Sequence, residues 1–363
     1  MRGRDEGRDE DIVRGGSGVR HGLSGVVVSQ PASEVLAPDL TVDLAPNNPR
    51  ELVIRNPVIP ASGCFGYGLE YSGIVDVQRL GAFVSKGITP KPRSGNPMPR
   101  ITETPSGMLN AIGLQNPGIR GFIRKYPPIW ESWRVPAIVN ISAETVEDFA
   151  MMARELDDVP GVAALEVNIS CPNINAGGFC FGWDPDMSAQ VTQAVREATT
   201  LPMIVKLSPG AVDVIEIAQA VEDAGADAVC LINTLVGMAI DTRTRRPILA
   251  NNTGGLSGPA VKPVAVRMVY QVAQAVGIPI VGLGGISNLD DALEFLMAGA
   301  SAIQVGTAVF SEPGVLIRLI DDLTEWMTRN GVHTVSEIVG VANPRFRSHV
   351  SVSAGYTDEV AEG

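Results

Sequence analysis

The sequence is poor in histidine and cysteine. Its three histidines, at positions 21, 333 and 349, lie outside every apolar run that could form a buried strand, so neither a histidine base nor a histidine-bound metal is expected. The four cysteines have no CxxC pair and no zinc-finger spacing, and they are too few for a disulfide scaffold. They are Cys64, Cys171, Cys180 and Cys230. We therefore expect free thiols and no metal site.

Positive charge and long apolar runs are also scarce. The net charge is −12 and the pI is near 4.8, which argues against binding to a nucleic acid backbone or an anionic membrane. There is no run of about 18 apolar residues, and the first 37 residues lack the apolar segment of a signal peptide. We expect a cytoplasmic chain with no nucleic acid partner and no membrane attachment.

Composition divides the chain into three parts. Residues 1–37 are charged and then small, so they bury too little apolar surface to order themselves, and we expect a disordered tail. Residues 38–349 form the expected domain, and residues 350–363 a C-terminal tail. Residues 39–58 alternate apolar and polar side chains around a turn, which predicts a hairpin that closes the bottom of a barrel.

Short β-branched runs alternate with helical stretches through the domain. This pattern is typical of a parallel sheet covered by helices, and eight such units close into a (β/α)8 TIM barrel. No dinucleotide fingerprint of an open sheet occurs early in the chain. The predicted strands are 58–62, 82–89, 137–142, 164–170, 203–208, 228–234, 278–285 and 301–310. The predicted helices are 143–156, 185–198, 212–224, 261–276, 290–297 and 313–329.

Two connections are unusually long, residues 86–135 and 171–184. Long loops in compact domains tend to carry function, and in a barrel they lie over the C-terminal mouth. The glycines at 282–285 and at 306, just before Thr307, favour a phosphate site built from backbone amides after the seventh and eighth strands. The loop at 253–258 adds further amides. The alternative is that these glycines only make tight turns.

Lysines and asparagines end several predicted strands. Lys86 and Lys206 would face the mouth, Lys86 to hold an anionic substrate and Lys206 to stabilise negative charge on a reduced flavin. The alternative is a structural pairing with a buried carboxylate. The asparagine amides suit a ring with alternating N–H and C=O groups, although some are expected only to cap loops. The asparagines at strand ends are Asn140, Asn168 with Asn173, and Asn233, while Asn110 lies in the first long loop.

Cys171 follows a predicted strand and begins a glycine-containing loop. Beside a lysine, its thiol would have a lowered pKa and could serve as a base or nucleophile. A lone cysteine is also commonly an inert small apolar residue, which is the interpretation kept for Cys64, Cys180 and Cys230.

Several stretches together carry a specific resemblance. The chain resembles class 1 dihydroorotate dehydrogenases from about Asp39 to Phe346, and most closely their NAD-linked subtype 1B catalytic subunit. The stretches are NPVIPASGCFGYG (56–68), SKGIT (85–89), GNPMPRITETPSGMLNAIGLQNPG (95–118), NISCPN (168–173), KLSP (206–209), LINT (231–234) and TGGLSGPAVKPVA (253–265).

The resemblance implies that Cys171 removes a proton from C5 of dihydroorotate while hydride leaves C6 for FMN. It implies substrate contacts at Lys86, Asn110, Ala111, Ile112, Gly113, Leu114, Asn168, Asn233 and Thr234. It implies FMN contacts at Ser62, Lys86, Gly87, Asn140, Asn168, Lys206, Ile232, Gly258, Gly284, Gly285, Gly306 and Thr307. It also implies a homodimer core and a heterotetramer with a partner subunit that carries FAD and a 2Fe-2S cluster.

The sequence departs from the family at residues 179–181 and in its charged N-terminal segment. Other interpretations are a fumarate-linked subtype and a barrel that acts on another pyrimidine, as in dihydropyrimidine dehydrogenase, whose substrate needs no lysine for a carboxylate. A tRNA-dihydrouridine synthase would have a basic surface, unlike this acidic chain. A barrel that binds a ligand without catalysis would leave Cys171 and the mouth lysines without a role.

Overall fold

A computed structural model of the chain describes residues 37–170 and 181–346. The strands there are β1 (Val42–Asp43), β2 (Val53–Ile54), β3 (Val58–Pro60), β4 (Phe83–Val84), β5 (Ile101–Thr104), β6 (Gly107–Asn110), β7 (Ala137–Ile141), β8 (Ala164–Asn168), β9 (Met203–Lys206), β10 (Ala228–Leu231), β11 (Leu235–Met238), β12 (Ile240–Asp241), β13 (Arg246–Pro247), β14 (Thr253–Ser257), β15 (Ile280–Leu283) and β16 (Ala302–Val305). The helices are α1 (Gly118–Lys125), α2 (Pro127–Trp130), α3 (Val146–Leu156), α4 (Pro185–Ala198), α5 (Val214–Asp223), α6 (Lys262–Ala273), α7 (Leu289–Ala298), α8 (Ala308–Ser311) and α9 (Val315–Arg329). Short 3₁₀ turns lie at Val77–Arg79, Phe181–Trp183, Pro259–Val261, Val335–Glu337 and Pro344–Phe346.

Eight of these strands form one parallel sheet in the order β3-β16-β15-β10-β9-β8-β7-β4. The order follows the chain around a circle, and the two ends meet where the backbone N–H of Gly81 donates to the carbonyl of Val58 at 3.1 Å. The structure is therefore a (β/α)8 barrel, as the sequence predicts. Each of the eight predicted strands is present within its predicted bounds.

Burial and capping explain why these segments form strands and helices. All five residues of β7 are buried, because a barrel strand is covered by helices on one face and by the interior on the other. Helix α3 begins after Thr145, whose hydroxyl accepts from the N–H of Asp148 at 3.1 Å. Asp184 caps α4 in the same way, with Pro185 in the first turn. The helix predicted from residue 143 thus begins at Val146.

The N-terminal hairpin β1–β2 lies at the bottom of the barrel. The Asn48 side chain donates to Asp227 Oδ2 at 3.0 Å, and Arg50 Nη1 donates to the carbonyl of Asp157 at 2.7 Å. Asp227 precedes β10 and Asp157 follows α3, so both contacts are at the N-terminal ends of barrel strands. Ile54 of β2 is fully buried. The predicted position of the hairpin is confirmed.

A second sheet covers part of the mouth. Strands β11, β14, β6 and β5 form an antiparallel sheet in that order, which joins the long connection after β4 to the connection after β10. The description of residues 253–258 as a loop was wrong, because residues 253–257 form β14. The connection after β10 was also not recognised as long. The predicted loop 171–184 lies mostly outside the described residues.

The eighth barrel strand is shorter than the predicted strand 301–310. Strand β16 stops at Val305, and residues 308–311 form the short helix α8. None of the helices between residues 37 and 346 that the structure describes is long and apolar enough to cross a membrane.

Candidate active site

Four barrel strands each place a polar side chain in the interior, around the carboxylate of Glu166 on a fifth strand, β8. This side chain is fully buried. It accepts hydrogen bonds from Asn140 Nδ2 on β7 and Gln304 Nε2 on β16, both at 2.6 Å. Lys206 Nζ on β9 and Cys230 Sγ on β10 each lie 3.5 Å from it. We call these five residues the polar layer.

The polar layer holds a buried positive charge. Burial is the largest single influence on the pKa of Lys206 and lowers it, but the Glu166 carboxylate, together with Cys230 and Cys64, outweighs burial, and the pKa is raised above its usual value. The pKa of Cys230 is raised by burial and by Glu166, so its thiol stays protonated. Lys206 therefore carries its charge inside the barrel. The buried carboxylate considered as its structural partner is present, and it is Glu166.

Two amide oxygens in this region lack partners. Asn140 Oδ1 and Gln304 Oε1 are buried, and neither has a hydrogen-bond partner among the described residues. A Cβ placed on Gly87 would lie 2.8 Å from Asn140 Oδ1, so the glycine leaves space beside that oxygen. A buried acceptor without a donor is costly, and an N–H group of a bound ring would satisfy it. Gly87 and Asn140 thus fit the edge of a flavin ring.

Glycine backbones from three segments meet at the other side of the mouth. Gly285 has a φ of +81°, and a Cβ there would lie 2.7 Å from the carbonyl oxygen of Gly258. Gly284 and Gly258 also have positive φ angles. The predicted phosphate residues after β14 and β15 are therefore neighbours, with no room for a side chain between Gly258 and Gly285. After β16, Thr307 joins them through a hydrogen bond to Ser257 Oγ at 2.7 Å. Such a cradle of backbone fits a phosphate group.

The segment from Asn110 to Leu114 leaves β6 and runs to the neighbourhood of Gly87. Asn110 Nδ2 donates to the carbonyl of Gly255 at 3.4 Å, and the N–H of Ala111 donates to the carbonyl of Arg100 at 2.8 Å. Leu114 Cδ2 would lie 3.5 Å from a Cβ on Gly87. The segment predicted to contact the substrate thus lies beside residues predicted to contact the cofactor.

Asn96 fixes the middle of that segment. Its N–H donates to the carbonyl of Ile112 at 3.0 Å, and its side-chain amide donates to the carbonyl of Ala111 at 3.0 Å. Gly113 has a φ of +75°, and a Cβ there would lie 2.6 Å from the Asn96 side chain. The residues between Asn110 and Leu114 are therefore held in place by Asn96, which lies in the segment before β5.

A chain of hydrogen bonds joins the ends of β8 and β10. Asn233 Nδ2 donates to Ser170 Oγ at 2.6 Å, and this hydroxyl donates to Asn168 Oδ1 at 2.8 Å. The N–H of Thr234 donates to Asn233 Oδ1 at 2.8 Å. Ser170 immediately precedes Cys171, which lies outside the described residues together with Asn173. These hydrogen bonds fix Ser170, the last described residue before the candidate base.

Two further predicted cofactor residues lie at strand ends. Ser62 follows β3 and its hydroxyl donates to the carbonyl of Ser85 at 2.9 Å. Ile232 follows β10, and its N–H donates to the carbonyl of Leu283 at 3.0 Å. Both belong to the C-terminal end of the barrel, as the prediction requires.

Lys86 follows β4 and is half-buried. It lines a cleft of about 350 Å³ together with Tyr67, Arg93, Gln115, Asn116 and Pro117. Burial lowers the pKa of Lys86, and the Arg100 guanidinium lowers it further, against a smaller opposing effect of Glu70. The surplus of positive charge would favour an anionic ligand in the cleft.

Comparison with known proteins identifies the family. Residues 48–327 match the family model described as dihydroorotate dehydrogenase. The chain belongs to the dihydroorotate dehydrogenase family. A protein of Pelobacter propionicus is 56% identical over 305 residues, which is 84% of this chain and 99% of the relative. A protein of Geobacter metallireducens is 54% identical over 303 residues, 84% of this chain and 98% of the relative.

A third relative, from Desulforamulus reducens, is 54% identical over 293 residues, 81% of this chain and 96% of its own length. All three are named dihydroorotate dehydrogenase B (NAD(+)), catalytic subunit, which implies a further subunit in those enzymes. The resemblance to the subtype 1B catalytic subunit is thereby confirmed.

Two members of the polar layer were not predicted from the sequence. Glu166 and Gln304 lie within the predicted strands 164–170 and 301–310, and no site role was predicted for either. One signal was available: a carboxylate at the centre of a barrel strand that is buried on both faces needs partners inside the barrel. Lys206 alone could have been proposed as that partner, but Asn140, Cys230 and Gln304 come together only in the folded chain.

Proposed function

We propose that this chain oxidises (S)-dihydroorotate to orotate in pyrimidine (UMP) biosynthesis, with FMN as its bound cofactor, in the cytoplasm. The observation that carries the proposal is the buried ion pair of Lys206 with Glu166 in the polar layer, beside Asn140 Oδ1, which has no hydrogen-bond partner among the described residues. The names of the relatives support the same reaction.

The cofactor would be held by residues on several strand ends. Bound FMN supplies the acceptor for the hydride. The charge of Lys206 would stabilise negative charge on a reduced ring, and Asn140 Oδ1 would accept from a ring N–H. The backbone around Gly258, Gly285 and Thr307 binds the phosphate. The remaining proposed contacts are Ser62, Lys86, Gly87, Asn168, Ile232, Gly284 and Gly306.

The substrate would lie between the segment after β6 and the ends of β8 and β10. Asparagine amides match the alternating donors and acceptors of a pyrimidine ring, and the ammonium of Lys86 pairs with the carboxylate. Cys171 takes the proton from C5, positioned by the chain that Asn168 and Asn233 fix at Ser170. The other proposed contacts are Asn110, Ala111, Ile112, Gly113, Leu114 and Thr234.

The first test is an anaerobic stopped-flow experiment on the purified chain. Mixing with dihydroorotate should bleach the visible band of bound FMN, whereas dihydrouracil, which lacks the carboxylate, should leave it oxidised. Equal bleaching by both substrates would favour a barrel of the dihydropyrimidine dehydrogenase kind. A chain without flavin, or a flavin that dihydroorotate leaves oxidised, would remove the proposed function.

We also propose that electrons leave through a partner. A homodimer of this chain would bind an electron-transfer subunit that carries FAD and a 2Fe-2S cluster, forming a heterotetramer that reduces NAD. The names of the relatives support a catalytic subunit of this kind. Turnover with NAD should require the second subunit. Turnover of the isolated chain with fumarate at a comparable rate would instead favour the fumarate-linked subtype.

A further inference from the structure

Glu166 has no role in the binding contacts proposed above, yet its burial is costly. The interior layers of such barrels are usually filled by valine, isoleucine and leucine. Removing a carboxylate from water costs several kcal/mol unless close partners compensate, and apolar side chains of similar volume would fill the same space at least as well. The residue therefore calls for an explanation beyond filling the core.

We propose that Glu166 is a positioning residue of the cofactor site. It holds the amides of Asn140 and Gln304 with their carbonyl oxygens turned away from it, and it supplies the counter-charge of Lys206. The inference rests on the proposed FMN-dependent function, because two of the three groups that Glu166 positions, Asn140 and Lys206, are proposed to meet the flavin ring.

The orientation of Asn140 follows from hydrogen-bond chemistry. A carboxylate can only accept, so the Asn140 amide must present its NH₂ group to Glu166 Oε1, which it does at 2.6 Å. The carbonyl Oδ1 is then turned the other way, beside Gly87, without a partner among the described residues. The Asn140 backbone N–H donates to Ser85 Oγ at 3.2 Å, which anchors the backbone from which this side chain extends.

Gln304 repeats the arrangement from the opposite side of the barrel. Its Nε2 donates to Glu166 Oε2 at 2.6 Å, which leaves Oε1 as a buried acceptor. A glutamine at position 166 would have the same shape but could donate as well as accept. Either amide could then turn over and present its NH₂ group outward, where a ring N–H would meet a donor instead of an acceptor.

The charge of Lys206 depends on the same carboxylate. Among the residues that the structure describes, the titratable groups that face Lys206 are Glu166 from β8, Cys230 from β10 and Cys64 from the segment after β3. Burial raises the pKa of Cys64 to about 11, partly offset by Lys206, so the two thiols stay neutral over most of the working pH range. Without Glu166, burial would be the dominant influence and would lower the pKa of Lys206.

The test is Glu166→Gln, measured on FMN binding as well as on activity. The apoprotein should bind FMN about ten- to a hundredfold more weakly, as expected when a buried acceptor loses its donor. The midpoint potential of bound FMN should gain a new inflection with pH, below the ordinary lysine value of 10.5. This inflection should disappear in the double variant Glu166→Gln/Lys206→Met, because Lys206 is the group that titrates.

Asp227→Asn is the matched control. Asp227 is also a well-bonded carboxylate, accepting from Asn48, Arg196 and the N–H of Met203, but it lies at the bottom of the barrel. Its replacement should lower the melting temperature and leave FMN affinity and the pH profile unchanged. The inference would be overturned if Glu166→Gln had the same FMN affinity and the same pH profile as the unmodified chain.

Two further outcomes are distinguishable. An unmodified chain that binds no FMN would contradict the proposed function itself, and with it the basis of the inference. If Glu166→Gln fails to fold, Lys206→Met is compared with the double variant at alkaline pH, where the Glu166 carboxylate of Lys206→Met stays ionised and can only accept hydrogen bonds. FMN binding about tenfold weaker in the double variant would support the orientation of the amides by Glu166, and equal binding would contradict it.

Discussion

The hydroxyl of Thr307 donates to Ser257 Oγ at 2.7 Å. This bond joins the chain that leaves β16 to the end of β14 in the antiparallel sheet, and it brings Gly306 and Gly258 to the same part of the mouth. The proposed phosphate cradle is therefore fixed by contacts between side chains as well as by the course of the backbone. Substitutions that widen the cradle should therefore weaken FMN binding more than they lower the stability of the fold.

Gly285→Ala should weaken FMN binding about tenfold or more. A Cβ at this position would lie 2.7 Å from the Gly258 carbonyl oxygen, and the φ of +81° is unfavourable for any residue with a side chain. The backbone of the cradle must then move. Titration of the apoprotein with FMN measures the effect.

Gly331→Ala is the matched control, because Gly331 has a similar φ of +65° but no atom of the described residues within 4 Å of its Cβ position. It should lower the melting temperature slightly and leave FMN affinity unchanged. Equal loss of FMN affinity in both variants would show that backbone strain, and not the cradle, is responsible.

Lys86→Met should raise KM for dihydroorotate about tenfold or more, because a charged hydrogen bond to the carboxylate is lost. In the unmodified chain the ammonium form is present below its pKa, which burial and Arg100 lower. KM should therefore rise with increasing pH, with an inflection below the ordinary lysine value of 10.5. The variant should lack this inflection.

Lys91→Met, at an exposed site in the same connection, should change neither KM nor its pH dependence. FMN content is measured for both variants, since Lys86 is also proposed to contact FMN. A pH-independent KM in the unmodified chain would exclude Lys86 as the partner of the carboxylate.

Cys171→Ser should bind FMN normally but reduce it about 10²- to 10⁴-fold more slowly near neutral pH, the range expected for loss of a general base. A serine hydroxyl gives up its proton far less readily than a thiol. Rapid-mixing measurement of flavin reduction by dihydroorotate gives the rate. Cys180→Ser, in the same predicted loop, serves as the control and should retain the full rate. An unchanged rate for Cys171→Ser would remove this residue as the base.

Ile54→Ala should lower the free energy of unfolding by about 2–5 kcal/mol, because Ile54 is fully buried under the hairpin. Ile74→Ala should change it by less than about 0.5 kcal/mol, since 67% of the Ile74 surface is exposed. Denaturant titration measures both. The folded Ile54→Ala protein should keep its KM for dihydroorotate, because the hairpin lies at the opposite end of the barrel from the mouth.

The barrel could be predicted from sequence because its strands are buried on both faces. In β7, for example, all five residues from Ala137 to Ile141 are buried, and this requirement leaves an apolar run that is easy to recognise. The antiparallel sheet could not be predicted in the same way. Its strand β14 contains Gly254 and Gly255, which normally indicate a loop. The reason for glycine is tertiary: a Cβ on Gly255 would lie 2.0 Å from Thr234 Oγ1.

The candidate site was predictable to a similar extent. Lys206 and Asn140 could be placed at the mouth end of the barrel because a polar residue at the end of a buried strand needs partners there. Glu166 could not be recognised as their centre. The partners that meet it, Asn140 and Gln304, are 26 and 138 residues away in the chain, and no local pattern records such a convergence.

The pairing of β6 with β14 also bears on how the protein is made. Asn110 lies opposite Gly255 and donates to its carbonyl, although the two residues are 145 positions apart. A nascent chain that has not yet emerged beyond Ser257 has no strand to pair with this edge of β6. Contacts of such long range form late in folding. The segment from Asn110 to Leu114 therefore reaches its final form only after six barrel strands have been synthesised, and ligand recognition is a property of the nearly complete polypeptide.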